Sequence, residues 1–206
     1  MGTWPLYDTY NAGDTRTQRM IASFTGTDGV LYNRQNQGDP NNGVLNRGPF
    51  FMKYAEDPNQ MGEFSGVSIV VYRYADVLMS WAEAQNHLNH APDAKCWDYL
   101  LAIRDRANAG AINQANYATE DSFDDLILAE RLREFPVEGL SRQDLIRHRK
   151  FDMHTYNVIG TGDAPEIVNF FGNDGHDILN DPHYKLPLPA SALKDGKGKI
   201  LQNPGY

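Results

Sequence analysis

The sequence predicts a mainly α-helical fold, built on a helical hairpin and set between long irregular loops with a few short strands. Two apolar stripes at helical spacing, parted by a breaker, lie between residues 74 and 107. Two further helical patterns follow before residue 150. Gly, Asn, Asp and Pro crowd both flanks, where they mark turns. The chain divides accordingly into a loop-rich segment 1–66, a helical core 67–150 and a loop-rich segment 151–206.

Segment 1–66 holds the run Asn33 to Gly48, in which Asn, Gly, Asp and Pro dominate, and Asp57-Pro58-Asn59 follows. It reads as loops and short strands studded with aromatics. The first helix is predicted from Tyr74, Val77, Leu78, Trp81, Ala82, Gln85 and Leu88, which form one stripe. His90-Ala91-Pro92-Asp93 breaks it. Ala94, Trp97, Leu100, Leu101, Arg104 and Ala107 form the second stripe, which Gly110 is placed to end. Trp81 and Trp97 are therefore core residues, and the hairpin is close to the roughly 34 residues of a tetratricopeptide unit. A third helix is expected to open at Ser122, with Ser122 and Asp125 at capping-box spacing, and to end at Pro136. A fourth runs from Arg142 to about Lys150. One such hairpin rarely buries its own apolar faces, so further helices are expected to stack on it.

Composition narrows the function. The 206 residues carry 27 acids and 19 bases, a net charge of −8, which argues against a nucleic-acid partner. No apolar run approaches the roughly 18 residues of a membrane span, and Met1-Gly2-Thr3-Trp4 does not resemble a signal peptide. Cys96 is the one cysteine; within a helical pattern it reads as a plain core or surface residue and not as a nucleophile. The sequence holds no GxSxG, HExxH, phosphate-loop or dinucleotide motif, so no catalytic residue and no cofactor is expected. His87 and His90 form a possible ligand pair, and Asp174, His176, Asp177, Asp181 and His183 form an oxygen-rich loop. Neither matches an established metal pattern, so no metal site is expected.

The densest chemistry lies in Glu130, Arg131, Arg133, Glu134, Glu138, Arg142, Asp144 and Arg147. Two of these carboxylates invite a reading as the acid and base of a glycoside hydrolase. Alternating opposite charge instead keeps carboxylates ionised, whereas a general acid needs a raised pKa. The block is read as a structural network tying the helix end to the Gly139 turn.

These residues also carry a resemblance. Tyr72-Arg73-Tyr74-Ala75-Asp76-Val77-Leu78 with Ala82-Glu83-Ala84 and Asn86 resembles a helix of SusD/RagB proteins, and Ile103-Arg104-Asp105-Arg106-Ala107 resembles the next. Glu130-Arg131, Glu134-Phe135, Glu138-Gly139, Arg142, Asp144-Leu145 and Arg147 are similar to the charged block of that family. Lys185-Leu186-Pro187-Leu188-Pro189 and Gln202-Asn203-Pro204-Gly205-Tyr206 resemble its closing motifs, and Asp14 with Arg16 an earlier step. Gln143, Pro136 and His148 depart from the pattern; His148 stands where the family commonly has Trp.

The resemblance implies a non-catalytic protein lipid-anchored on the outer face of the outer membrane. Such proteins bind glycans and cap a SusC-like TonB-dependent transporter. It also implies a protein two to three times longer, whose N-terminal part carries the lipid anchor and most tetratricopeptide helices. Cys96 is not that anchor. Sugar sites pair aromatic faces with Asn, Asp, Arg and Gln, and Trp4, Tyr7, Tyr10, Tyr32, Asn33 and Arg34 offer that mixture. Two rivals remain: a hydrolase using Glu130 or Glu134, and a scaffold that docks partner helices on the hairpin without a ligand of its own.

Overall fold

A computed structural model describes residues 3–36, 45, 48–54, 56–148, 150, 156–159, 166–169 and 186–203. The loop of Asp174, His176, Asp177, Asp181 and His183 lies outside the described residues. Helix α1 (Trp4–Asp8) opens the chain, where segment 1–66 is predicted to be loops and strands. The Thr3 side chain accepts from the Leu6 amide and Pro5 sits in the first turn, so local capping makes the helix. A 3₁₀ turn over Thr15–Arg19 follows. Four two-residue strands come next: β1 (Met20–Ile21) pairs antiparallel with β4 (Phe50–Phe51), and β2 (Phe24–Thr25) with β3 (Leu31–Tyr32).

The hairpin consists of α2 (Tyr74–Asn89) and α3 (Ala94–Ala107). His90, at φ 56°, turns the chain out of α2, and the Asp93 carboxylate accepts from the Cys96 amide to open α3. Asn108, at φ 51°, ends α3 two residues ahead of the glycine expected to do so. Helix α4 (Glu120–Glu134) is capped by Thr119, which exchanges bonds with Ser122 in a capping box. Ser122 is thus the third helical residue and not the cap. Helix α5 spans Ser141–Arg147, shorter than expected, and residues beyond it include a β5–β6 hairpin (Tyr156–Ile159 with Glu166–Asn169) and α6 (Ala190–Asp195). Near the end of the chain, the Gln202 amide accepts from the Leu188 N–H and donates to the Leu188 carbonyl, at 2.7 and 3.1 Å. Asn203 Nδ2 donates to the Leu186 carbonyl at 2.6 Å. The two closing motifs therefore bind each other by side chain on backbone.

Helix α4 is the axis of the fold. Its Phe123, Leu126 and Ile127 pack with Ala82, Cys96, Trp97 and Leu100 of the hairpin. Its Leu128 and Leu132 pack with Leu6 and Leu145, and Phe135 just beyond it packs with Ala75, Met79 and Ile103. A helix that meets neighbours on every side has no single apolar stripe, which is why periodicity alone describes it poorly.

Helix α2 corrects the sequence reading. Tyr74, Val77 and Leu88 are exposed, while Ala75, Met79, Ala82, Glu83 and Asn86 are buried. The inward face is displaced by about one residue because polar contacts set the register. Asp76 Oδ1 accepts from Arg131 at 2.7 Å, and Asn86 Nδ2 donates to the Glu120 carbonyl at 2.8 Å. As numbers rise along α2 they fall along α4, so the two helices run antiparallel. Trp97 is core, edge-on to Phe123 at 4.8 Å between centroids; Trp81 is only partly buried, against Tyr99. Cys96 is fully buried, with Sγ 3.4 Å from the Ala82 carbonyl, and burial pushes its thiol up to about 11.

Replacing Phe123 by Ala should cost about 3–5 kcal/mol, as for a large side chain deleted from a packed core. Thr119→Ala should cost about 1 kcal/mol, the worth of a cap. Urea unfolding checks both, and equal losses would contradict the placement of α4 at the axis.

Candidate ligand-binding site

The C-terminal turns of α4 carry carboxylates that four separate segments converge on. Glu130, with no exposed surface, accepts from Arg16 Nη1 at 2.7 Å on one oxygen. Its other oxygen accepts from Arg104 Nη1 at 2.8 Å and Arg133 Nη2 at 3.0 Å. Glu134 accepts from Arg73 Nη1 at 2.6 Å and Arg16 Nη1 at 3.1 Å, and is also paired with Arg106. Glu138 is gripped by Arg73 Nε at 2.8 Å and by Lys53. On the far side of α4, Arg131 reaches Asp76 and lies 3.0 Å from Asp144, which accepts from Arg147 at 3.0 Å. Asp14 anchors Arg16 with both oxygens, at 2.9 and 2.6 Å. Sequence reasoning named the acceptors and overlooked most donors. Arg16, Arg73, Arg104 and Arg106 lie 26 to 118 residues away from the α4 carboxylates they serve, and only the motif resemblance pointed to them.

This arrangement sets protonation. Burial works against ionising Glu130, but Arg133, Arg16 and Arg104 outweigh it and hold the carboxyl at about 2. Glu134 is likewise lowered, burial being overcome by Arg106 and Arg73. Neither group holds a proton at neutral pH, so neither is a general acid.

Against this network opens a cavity of about 400 Å³, in the size range of small-ligand sites. Met20, Phe51, Val70 and Pro136 form its apolar walls. Arg19, Lys53, Arg73 and Arg106 line it with Glu134 and Glu138 as their counterweight, so positive charge is in excess. The Tyr54 hydroxyl on its wall is buried and makes no hydrogen bond. A buried hydroxyl in that condition lacks the compensation that polar groups normally find. Burial also lowers the Lys53 ammonium below its ordinary value despite Glu138.

The aromatic candidates of the first segment do not gather in this cavity. Trp4 is 7% exposed, donates Nε1–H to the Leu45 carbonyl at 3.0 Å and has the Arg34 guanidinium 5.2 Å from its ring. Tyr7 meets Trp4 edge-on at 5.7 Å. Tyr10 points into the core and donates to the Arg133 carbonyl at 2.8 Å, and burial raises its phenol well above the ordinary value. Tyr32 stacks on Phe24 and donates to Asp28 at 2.6 Å. Asn33 accepts from the amides of Gln35 and Asn36, which folds its own turn. Arg34 pairs with Asp8 at 2.8 and 2.9 Å. Tyr7, Arg34 and Asp8 therefore make a surface corner beside Trp4, while Tyr10 belongs to the packing.

Comparison with known proteins places this architecture. The model of the SusD family matches residues 3–206. The chain belongs to the SusD family. SusD-like protein P2 of Formosa agariphila is 27% identical over 161 residues, covering 76% of this chain and 29% of that protein. A SusD superfamily protein from Parabacteroides distasonis superposes with a TM-score of 0.68 at 22% identity, over 99% of this chain and 41% of that one. Surface glycan-binding protein A from Bacteroides thetaiotaomicron superposes with a TM-score of 0.51 at 18% identity, over 97% and 40%. The chain thus spans well under half the length of these SusD-like relatives. The mainly helical architecture with few short strands is theirs. No described helix is long and apolar enough to cross a membrane.

Loss of Glu130 has a definite signature in this SusD-family chain. Glu130→Gln leaves three guanidinium groups facing an uncharged amide and should cost about 3–5 kcal/mol at pH 7. Because the folded carboxyl is held below its ordinary 4.5, its stabilisation is complete above that value and fades as pH falls toward 2. Glu134 acts in the same sense; Asp144, whose carboxyl burial raises, acts in the opposite one. Urea melts of the two proteins should therefore converge between pH 4.5 and pH 2, and a constant gap would refute the pairing.

Proposed function

We propose that this protein is a non-catalytic glycan-binding protein of the cell surface that passes its ligand to a SusC-like TonB-dependent transporter. The observation that carries the reading is the SusD family match along residues 3–206. Its fold likeness to a protein named for surface glycan binding agrees with it. In this reading the protein is held to the outer membrane by a lipid on an N-terminal cysteine outside these residues. Buried Cys96 does not serve.

The sugar is taken by the cavity beside Glu134. Phe51 offers an apolar face, the Tyr54 hydroxyl lacks a partner, and Arg19 stands exposed at the rim. Hydroxyl-rich ligands need this combination of apolar surface and unspent hydrogen bonds. The excess of guanidinium and ammonium groups favours sugars bearing carboxylate or sulfate. The chain's net charge of −8 opposes them at long range. Salt screens that field beyond about 8 Å under physiological conditions, so local charge decides. A hydrolase reading finds no support in Glu130 or Glu134, which are paired and ionised.

Affinity gel electrophoresis of the full-length protein against neutral and acidic polysaccharides tests this. Tyr54→Phe and Arg19→Ala should each weaken retardation by an acidic polysaccharide about 3–10-fold, the worth of one hydrogen bond. Retardation unchanged in both variants moves the site elsewhere, first to the Tyr7–Arg34 corner. Absence of retardation across the panel removes glycan capture and leaves the docking scaffold.

A further inference from the structure

Away from the cavity, the other end of the α2–α4 contact brings together Glu83 of α2, Asp124 of α4 and His148, the residue that closes α5. One possible donor atom from each lies within 4.8 Å of the other two. Their side chains are 11%, 20% and 3% exposed. Glu83 Oε2, Asp124 Oδ1 and His148 Nε2 are each buried without a hydrogen bond; Asp124 Oδ1 faces His87 Nε2 at 3.1 Å and His148 Nε2 faces Glu83 Oε1 at 3.4 Å. Polar atoms buried on three converging side chains without a hydrogen bond are costly, and a cation among them supplies a partner that the neighbouring side chains do not.

We propose that Glu83, Asp124 and His148 form a binding site for a zinc-class divalent ion, which clamps α2, α4 and the end of α5 together. His148 Nδ1 lies 3.0 Å from Asp124 Oδ2, and Nε2 is the other donor nitrogen of the ring. That nitrogen is 3.4 Å from Glu83 Oε1. Arg147 is ion-paired with Glu83 Oε1, which leaves Oε2 for the metal. The half-exposed His87 places Nε2 3.1 Å from Asp124 Oδ1, next to the site and able to supply a fourth ligand by a change of rotamer. Mixed imidazole and carboxylate donors in a small, closed set suit zinc. Calcium and magnesium ask for six or more oxygens. Sequence spacing conceals the site, because its residues are 41 and 24 positions apart on three elements.

The test uses the full-length protein without a histidine tag, stripped with a chelator and titrated with zinc chloride against a chromophoric competitor. One equivalent should bind and raise the melting temperature by several degrees. Cobalt(II) in its place should show the visible absorption of a tetrahedral site. His148→Ala and the isosteric Asp124→Asn should each weaken zinc binding at least tenfold, with circular dichroism reporting that the fold is kept. Should His148→Ala not fold, Asp124→Asn decides. Absence of binding, or binding that survives both substitutions on surface histidines alone, overturns the proposal.

Discussion

Burial of ionised Glu130 is the constraint on which the rest depends. A carboxylate with no exposed surface carries a desolvation cost of several kcal/mol, which only close opposite charge offsets. Arg133 comes from the same helix, Arg104 from α3 and Arg16 from the 3₁₀ turn near the N-terminus. Shifting α3 or the first segment by one residue would strand a charge. Hydrophobic contact alone tolerates such sliding, since Leu and Ile accept many neighbours. The ion network therefore supplies register, while the clusters around Phe123, Leu132 and Phe135 supply the larger share of cohesion.

The same logic governs α2. Its outward face carries Tyr74, Val77 and Leu88, a pattern that by periodicity belongs inside. Its inward face carries Asp76, Glu83 and Asn86, which belong inside only because Arg131, Arg147 and the Glu120 carbonyl meet them. Periodicity ranks residues by transfer free energy and takes no account of a partner on another helix. It found the helix and misplaced its face. In α3, where the inward residues Trp97, Leu100 and Ala107 are apolar, the same method placed the face correctly. Capping behaved similarly: Ser122 belongs to the box, but Thr119 holds the cap because its side chain reaches the Ser122 amide.

Legibility of the site divides along the same line. Local turn chemistry, such as the Asn33 turn, was visible as loop character but resembled ligand chemistry. Asn, Arg and Tyr that bind sugars and Asn, Arg and Tyr that satisfy a protein's own backbone have the same composition. Trp4 and Tyr10 found their partners at Leu45 and Arg133, across 41 and 123 residues. The cavity draws on residues from Arg16 to Glu138, none of them adjacent in a motif except at the α4 end. A concave site assembled from five segments leaves no period or spacing to read. Motif resemblance reaches further than periodicity because Arg16, Arg73 and Arg104 sit inside the family's motifs, where each meets a buried carboxylate.

The two ends of the α2–α4 contact differ in how they satisfy buried charge. At the Asp76–Arg131 end every carboxylate faces a guanidinium, and Glu130 and Glu134 are held ionised below their ordinary range. At the Glu83–Asp124 end two carboxylates face one arginine, Arg147, and the imidazoles of His87 and His148. Arg147 is shared with Asp144, so its charge is divided between two acids. Protein cations therefore compensate the first end fully and the second only in part. A divalent ion between Glu83, Asp124 and His148 would balance the deficit where it arises, and it would add to the apolar contact of Leu145 with Leu128 and Leu132 in holding α5 to the antiparallel pair.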